Sequence, residues 1–230
     1  IGVNLAGGKT LCMNEFVEEA AEVYGENFPN TPQIVADITK LTAAAFMDKT
    51  GIRPGELDIF EGSPPCSAFS TSGSTSKGWN KTKKYSTNKT VTNIEDLFFE
   101  YLRIAGELQP KIILAENVEG LTVGESKKYL AKILNRFEDI GYLVTYKIIR
   151  GPDVGVPQLR ARVIFIGVRE DIAAEKNIHY GNIKGLYPDP VAGFSNVKDA
   201  ICDIVDPFEN GEKQYLEDIF KRRMYEDDGT

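Results

Sequence analysis

The chain has 230 residues, 42% hydrophobic and 27% charged, a balance that suits a globular protein and excludes a fibrous or disordered chain. A net charge of −7 gives no overall attraction to phosphate, no apolar run nears the roughly 20 residues that span a bilayer, and no secretory signal opens the chain. Three cysteines without regular spacing and one histidine exclude a disulfide scaffold and a zinc centre, so no metal is expected and the chain reads as intracellular.

Short β-branched runs alternate with amphipathic helical stretches, which predicts an α/β fold, a mostly parallel sheet covered by helices. Residues 9–13 read as a strand, 16–27 as a helix, 33–36 as a strand and 41–49 as a short helix. Residues 57–61 form a third strand, stopped by Gly62-Ser63-Pro64-Pro65. Residues 67–92, rich in Ser, Thr, Lys and Gly, read as a mobile loop; within 74–93 lie five lysines and no acid. A helix over 94–108 ends before Pro110, a buried strand covers 111–116, and a helix over 125–140 closes at Gly141. The last strands, 142–150 and 162–168, are separated by a connection too short for a helical crossover, so one of them runs antiparallel, near the edge of the sheet.

In such a sheet ligands bind at the carboxyl ends of the strands. There the chain places Asn14-Glu15-Phe16, Asp37-Ile38-Thr39, Pro64-Pro65-Cys66, Glu116-Asn117-Val118, and Gly155-Val156-Pro157-Gln158 leading to Arg160 and Arg162. Polar and nucleophilic residues therefore gather at one rim. Residues 62–73 (GSPPCSAFSTSG), 116–120 (ENVEG) and 155–167 (GVPQLRARVIFIG) resemble, in that order, three blocks of the cytosine-C5 DNA methyltransferases. The resemblance runs over residues 1–204. It implies a Rossmann-like S-adenosylmethionine-dependent methyltransferase fold with helices on both faces.

A free cysteine is most often a buried structural thiol. Two prolines before Cys66 argue against that, because they stiffen the loop and forbid regular structure. By resemblance Cys66 is the nucleophile, with Ser67 and Ser70 supporting its loop. No base for a hydrolytic cysteine is in view, since His179 lies in a polar segment and reads as a surface residue. Glu116 follows an apolar run, and at a dry edge a carboxyl favours its protonated form, which suits a bond to N3 of cytosine. The alternative is a carboxylate salt-bridged at the rim. Asn117 reads as a brace for the Cys66 loop. Arg160 and Arg162 alternate at a strand start and so point to one side. The resemblance implies that Arg162 meets O2 of the base or a phosphate, with Gln158 and Arg160 orienting the loop; the alternative is a solvated cap.

For the cofactor, an acid after an early strand suits ribose hydroxyls, which fits Glu15, while Phe16 suits stacking on adenine and Asp37 its amine. By resemblance Ile38, Pro64 and Leu97 join this site, although Leu97 also reads as plain core. The resemblance thus implies S-adenosyl-L-methionine as cofactor, S-adenosyl-L-homocysteine as product and double-stranded DNA as partner. It further implies a monomer, a possible cognate restriction endonuclease and, in a bacterium, a cytoplasmic location. The base is flipped out, Cys66 adds to C6, and C5 takes the methyl group.

The family's first strand and its glycine-rich turn are missing from the displayed chain, since residues 1–8 resemble the helix that follows them. That strand would lie between the strands at 9–13 and 57–61, so the reading expects a gap there, defeated if those two pair directly. Residues 1–196 are expected to be a partial catalytic domain, and 197–230 the start of a connection to an absent target-recognition domain. The fragment alone is expected to be inactive. Two rivals share these blocks: a tRNA cytosine-C5 methyltransferase, and an inactive methyltransferase-like binding module.

Overall fold

A computed structural model describes residues 2–65, 83–84, 90–91 and 97–191. It divides into two units, residues 1–150 with 161–188, and residues 151–160 with 189–230. The first unit holds α1 (Gly2–Leu5), β1 (Met13–Glu15), α2 (Glu18–Asn27), β2 (Gln33–Val35), α3 (Ala43–Thr50), β3 (Ile59–Gly62), β4 (Lys83–Lys84) and β5 (Thr90–Val91). It continues with α4 (Leu97–Leu108), β6 (Ile112–Val118), α5 (Ser126–Asp139), β7 (Tyr142–Arg150), β8 (Ala161–Arg169) and α6 (Glu170–Glu175).

The main sheet has the order β3-β6-β8-β7. β3 runs parallel to β6, while β8 runs antiparallel to both of its neighbours. The expected reversed strand is therefore β8, one place in from the edge. On one face Ile113, Ala115, Val144, Val163 and Phe165 pack against Phe98 and Leu102 of α4 and Ile133 and Phe137 of α5. On the other, Ile166 and Val168 are covered by Ala173 of α6 and by Ile183 and Tyr187. Alternation along β6, with Ile113, Ala115 and Asn117 buried and their neighbours half-buried, is the period of a strand covered on both faces.

The sequence of α4 explains its place. Leu97, Phe98, Tyr101, Leu102, Ile104, Ala105 and Leu108 are buried, a wide apolar stripe that leaves Glu100, Arg103 and Glu107 on the remaining face. Pro110 cannot donate to a helical ladder, and the chain leaves the helix through Gln109 at φ 49°. A smaller sheet pairs β1 with β2 in parallel over three residues each. Ile34, Ile38, Ala43, Phe46, Phe60, Ile104 and Leu108 join it to α3, β3 and α4 in one apolar cluster. β1 and β3 belong to separate ladders and are not paired with each other.

Several expected boundaries move. The first strand starts at Met13, and the helix after it at Glu18, because the Glu15 side chain occupies the Phe16 and Val17 amides. The helix expected over 41–49 is α3, Ala43–Thr50, and a 3-10 turn, Ile38–Lys40, precedes it. β6 continues past Glu116 to Val118, since β8 pairs along its full length, so Asn117 and Val118 also lie inside the ladder. Arg160 precedes β8 and belongs to the second unit, so it does not alternate with Arg162 along one strand. The loop expected over 67–92 lies outside the described residues, apart from the antiparallel ladder of β4 with β5.

Candidate active site

Two groups of side chains stand at the carboxyl rim of the parallel strands. The first is built on β6 and β8. Val118 faces Arg162 and Glu116 faces Ile164 in the antiparallel register, which sets Glu116 and Arg162 diagonally on one face. Glu116 Oε1 lies 2.6 Å from Arg162 Nε, with the two side chains 36% and 23% exposed. Arg162 also donates to the Ala161 carbonyl at 2.8 Å. The carboxyl expected at a dry edge is thus partly open to solvent and faces a guanidinium; the apolar run Ile112-Ile113-Leu114-Ala115 ends before it.

Asn117, on the opposite face of β6, is buried. Its Nδ2 donates to the Pro64 carbonyl at 3.1 Å, and its Oδ1 accepts from the Val118 amide at 2.8 Å. A buried amide with both ends satisfied is a rigid brace. It holds the segment after β3 that runs Pro64, Pro65, Cys66. Cys66, Ser67 and Ser70 lie outside the described residues.

Gly62 completes that support. A Cβ here would overlap the ring edge of Tyr101, whose hydroxyl reaches the carbonyls of Phe60 at 2.8 Å and Leu114 at 3.0 Å. One side chain of α4 therefore ties β3 to β6 just below the loop. Burial, reinforced by the Glu61 charge, pushes the Tyr101 phenol well above its ordinary pKa, so it stays a donor.

The second group lies at the ends of β1 and β2. Glu15 Oε1 accepts the Phe16 and Val17 amides at 2.7 and 2.8 Å. Asp37 Oδ1 accepts the Thr39 amide at 3.0 Å and its hydroxyl at 2.8 Å. Each carboxylate is held through one oxygen, which aims the other. Leu97 is buried, and Phe16 and Ile38 pack against it. Three apolar residues far apart in sequence thus form one cluster beside the two acids. An apolar cluster next to two oriented carboxylates fits a nucleoside, a flat ring with hydroxyl and amine donors. Among the described residues no group of acids, cysteines and histidine is arranged to hold a metal, and no helix is long and apolar enough to cross a membrane.

In the second unit, the Gly151 amide donates to the Arg160 carbonyl at 3.0 Å and the Arg160 amide to the Gln158 carbonyl at 2.8 Å. Gln158 and Arg160 are exposed on this tight loop. His179 is exposed as expected, its Nδ1 accepting from the Gly181 amide at 3.1 Å. Sequence reasoning missed Tyr101 and Arg103. The spacing Glu100, Arg103, Glu107 signals an ion-pair ladder on a helix, which is present at 2.8 Å for each pair. Nothing in that spacing tells that Arg103 also reaches the carbonyls of Ile38 and Leu41.

Comparison with known proteins agrees with this architecture. The type II methyltransferase M.SacI of Streptomyces achromogenes is 28% identical over 202 residues, 86% of this chain and 50% of that protein. M.XorII of Xanthomonas oryzae pv. oryzae is 31% identical over 182 residues, 78% of this chain and 37% of that protein. The crystal structure of a DNA modification methyltransferase encoded within an E. coli prophage superposes with a TM-score of 0.65 at 24% identity, over 89% of this chain and 52% of that one. The chain spans half or less of the length of these curated relatives. The profile of the C-5 cytosine-specific DNA methylases matches residues 1–228, and the chain belongs to that family.

Proposed function

We propose that the intact protein transfers a methyl group from S-adenosylmethionine to C5 of cytosine in double-stranded DNA through a covalent intermediate on Cys66. The observation that carries this reading is the meeting, on adjacent residues of β6, of Glu116 paired with Arg162 and Asn117 bonded to Pro64, two residues before Cys66. A carboxyl, a guanidinium and an anchored Pro64, two residues before Cys66 in sequence, suit a single pyrimidine.

The chemistry needs the base outside the stack, where its ring faces are reachable. The Cys66 thiolate adds to C6, forming the sulfur–carbon bond, while the C5–C6 electron pair moves to C5. Glu116 holds a proton at N3 and accepts from the exocyclic amine, which stabilises the electron-rich ring. Arg162, fixed through Nε, offers its remaining N–H groups to O2 or the adjoining phosphate. S-adenosylmethionine, when bound, would supply the methyl group to C5 and leave as S-adenosylhomocysteine, which keeps the bonding pair. Glu15 would hold its ribose, Asp37 the adenine amine, and Phe16, Ile38 and Leu97 the purine faces. Transfer of the C5 proton to water restores the double bond and expels the Cys66 thiolate. Gln158 and Arg160 orient the loop before β8, and Ser67 and Ser70 support the thiol. Because the relatives are named type II methyltransferases, the modification would protect DNA from a cognate endonuclease.

The test is transfer of labelled methyl from S-adenosylmethionine by the full-length protein to duplex DNA and, separately, to tRNA. The expected product is 5-methylcytosine in the duplex alone. Label in tRNA alone would move the activity to RNA, and label in neither would leave a binding module.

A further inference from the structure

We infer that Asn14 and Arg103 are positioning residues that clamp the turn presenting Asp37, and so set the preference for an adenine ring; this rests on the S-adenosylmethionine reading above. β1 and β2 are three residues each, so their ladder offers few backbone bonds to fix the turn after β2. Asn14 makes up the difference. Its Nδ2 spends both hydrogens on β2 and its end, donating to the Ile34 and Ala36 carbonyls at 2.9 Å each. On the far side of Asp37, Arg103 Nη2 donates to the Ile38 carbonyl at 3.3 Å and the Leu41 carbonyl at 2.7 Å. Four carbonyls flanking Asp37 are thereby gathered by one amide and one guanidinium.

The guanidinium is itself immobilised. Its Nε and Nη1 bond Glu100 and Glu107 at 2.8 Å, and Glu107 also accepts the Ala43 amide at 2.9 Å, at the start of α3. The clamp therefore runs from α4, which carries Leu97, across the turn to β1, which carries Glu15. Ile38, between the two clamped carbonyls of Ala36 and Leu41, packs on Leu97 together with Phe16. Asn14 and Arg103 hold the whole turn in register with the apolar cluster, although neither belongs to that cluster. Aspartate at 14 keeps the shape and replaces two donors by a charge facing two carbonyl oxygens. Lysine at 103 keeps the charge, and its compact ammonium cannot serve two carboxylates and two carbonyls in one plane.

The test uses the full-length protein and calorimetric binding of S-adenosylhomocysteine and S-inosylhomocysteine, whose purine has an oxygen in place of the amine. Wild type is expected to favour the adenosyl compound by about tenfold or more, since a site built for an amine rejects its absence. In Asn14→Asp and in Arg103→Lys, adenosyl binding weakens by about tenfold while inosyl binding changes little, so the preference collapses. Asp37→Ala collapses it equally, and Asn14→Asp adds nothing further on that background. If the variants unfold earlier yet keep the wild-type preference, the two residues are merely structural and the inference is overturned. Equal binding of both compounds by wild type overturns it as well. If wild type binds neither compound, the S-adenosylmethionine reading itself fails, which separates the two failures.

Discussion

Glu116 on β6 and Arg162 on β8, 46 positions apart in the chain, meet at 2.6 Å through a diagonal register of one antiparallel pair. Both are partly exposed, so the pair contributes at most about 1 kcal/mol to stability. Its weight lies in chemistry. Glu116→Gln and Arg162→Ala are expected to lower kcat by about 10²- to 10⁴-fold while shifting the melting temperature by no more than about 4 °C. Activity and thermal unfolding measured on the same samples check this, and a loss of activity explained by unfolding would contradict it.

Asn117→Ala is expected to lower stability as well as activity. Removing the amide leaves the Pro64 carbonyl without its donor and opens a small void. The expected cost is about 1–3 kcal/mol in denaturant unfolding. The loop carrying Cys66 loses its brace, so kcat falls as well, with little change in cofactor binding.

Gly62→Ala pushes a methyl group into the Tyr101 ring. Overpacking of this kind costs about 1–3 kcal/mol. Tyr101→Leu, which is smaller at the point of overlap, should recover part of that loss in the double variant. A double-mutant cycle in urea measures it, and strict additivity would rule out the contact as the cause.

Glu107 gives a pH signature. The Ala43 amide, and then Arg103, hold its carboxyl below the ordinary 4.5, against the opposing effect of burial. A lowered folded pKa means that the stabilisation is complete above about 4.5 and is lost as the pH falls through the folded value. Glu107→Gln should therefore flatten the acid limb of the stability profile and leave the neutral limb parallel to wild type. An acid limb as steep as wild type would contradict this.

Much of the fold was legible because the main-sheet strands are apolar runs with sharp ends. The bounds of β7 were read without error, and the short connection after it required a reversed strand. The small sheet was harder. Three-residue strands carry almost no periodicity, and the Glu15 cap that delays α2 is a side-chain event. At the site, strand ends placed Glu15, Phe16, Asp37 and Ile38 at one rim and the family resemblance added Leu97; Phe16, Ile38 and Leu97 meet there. The pairing of Glu116 with Arg162 was not legible as a partner choice, since it depends on the register between β6 and β8. Nor was the reach of Arg103, whose long side chain crosses from one element to another.

The central claim is that Cys66 attacks a cytosine held by Glu116 and Arg162. Duplex containing 5-fluorocytosine tests it most directly, because fluorine in place of the C5 proton blocks the elimination that frees the thiolate. With S-adenosylmethionine and the full-length protein, we expect an adduct that survives denaturation, maps by mass to the peptide of Cys66, and is absent in Cys66→Ser. An adduct on another residue, or none from wild type that binds the duplex, would contradict the account.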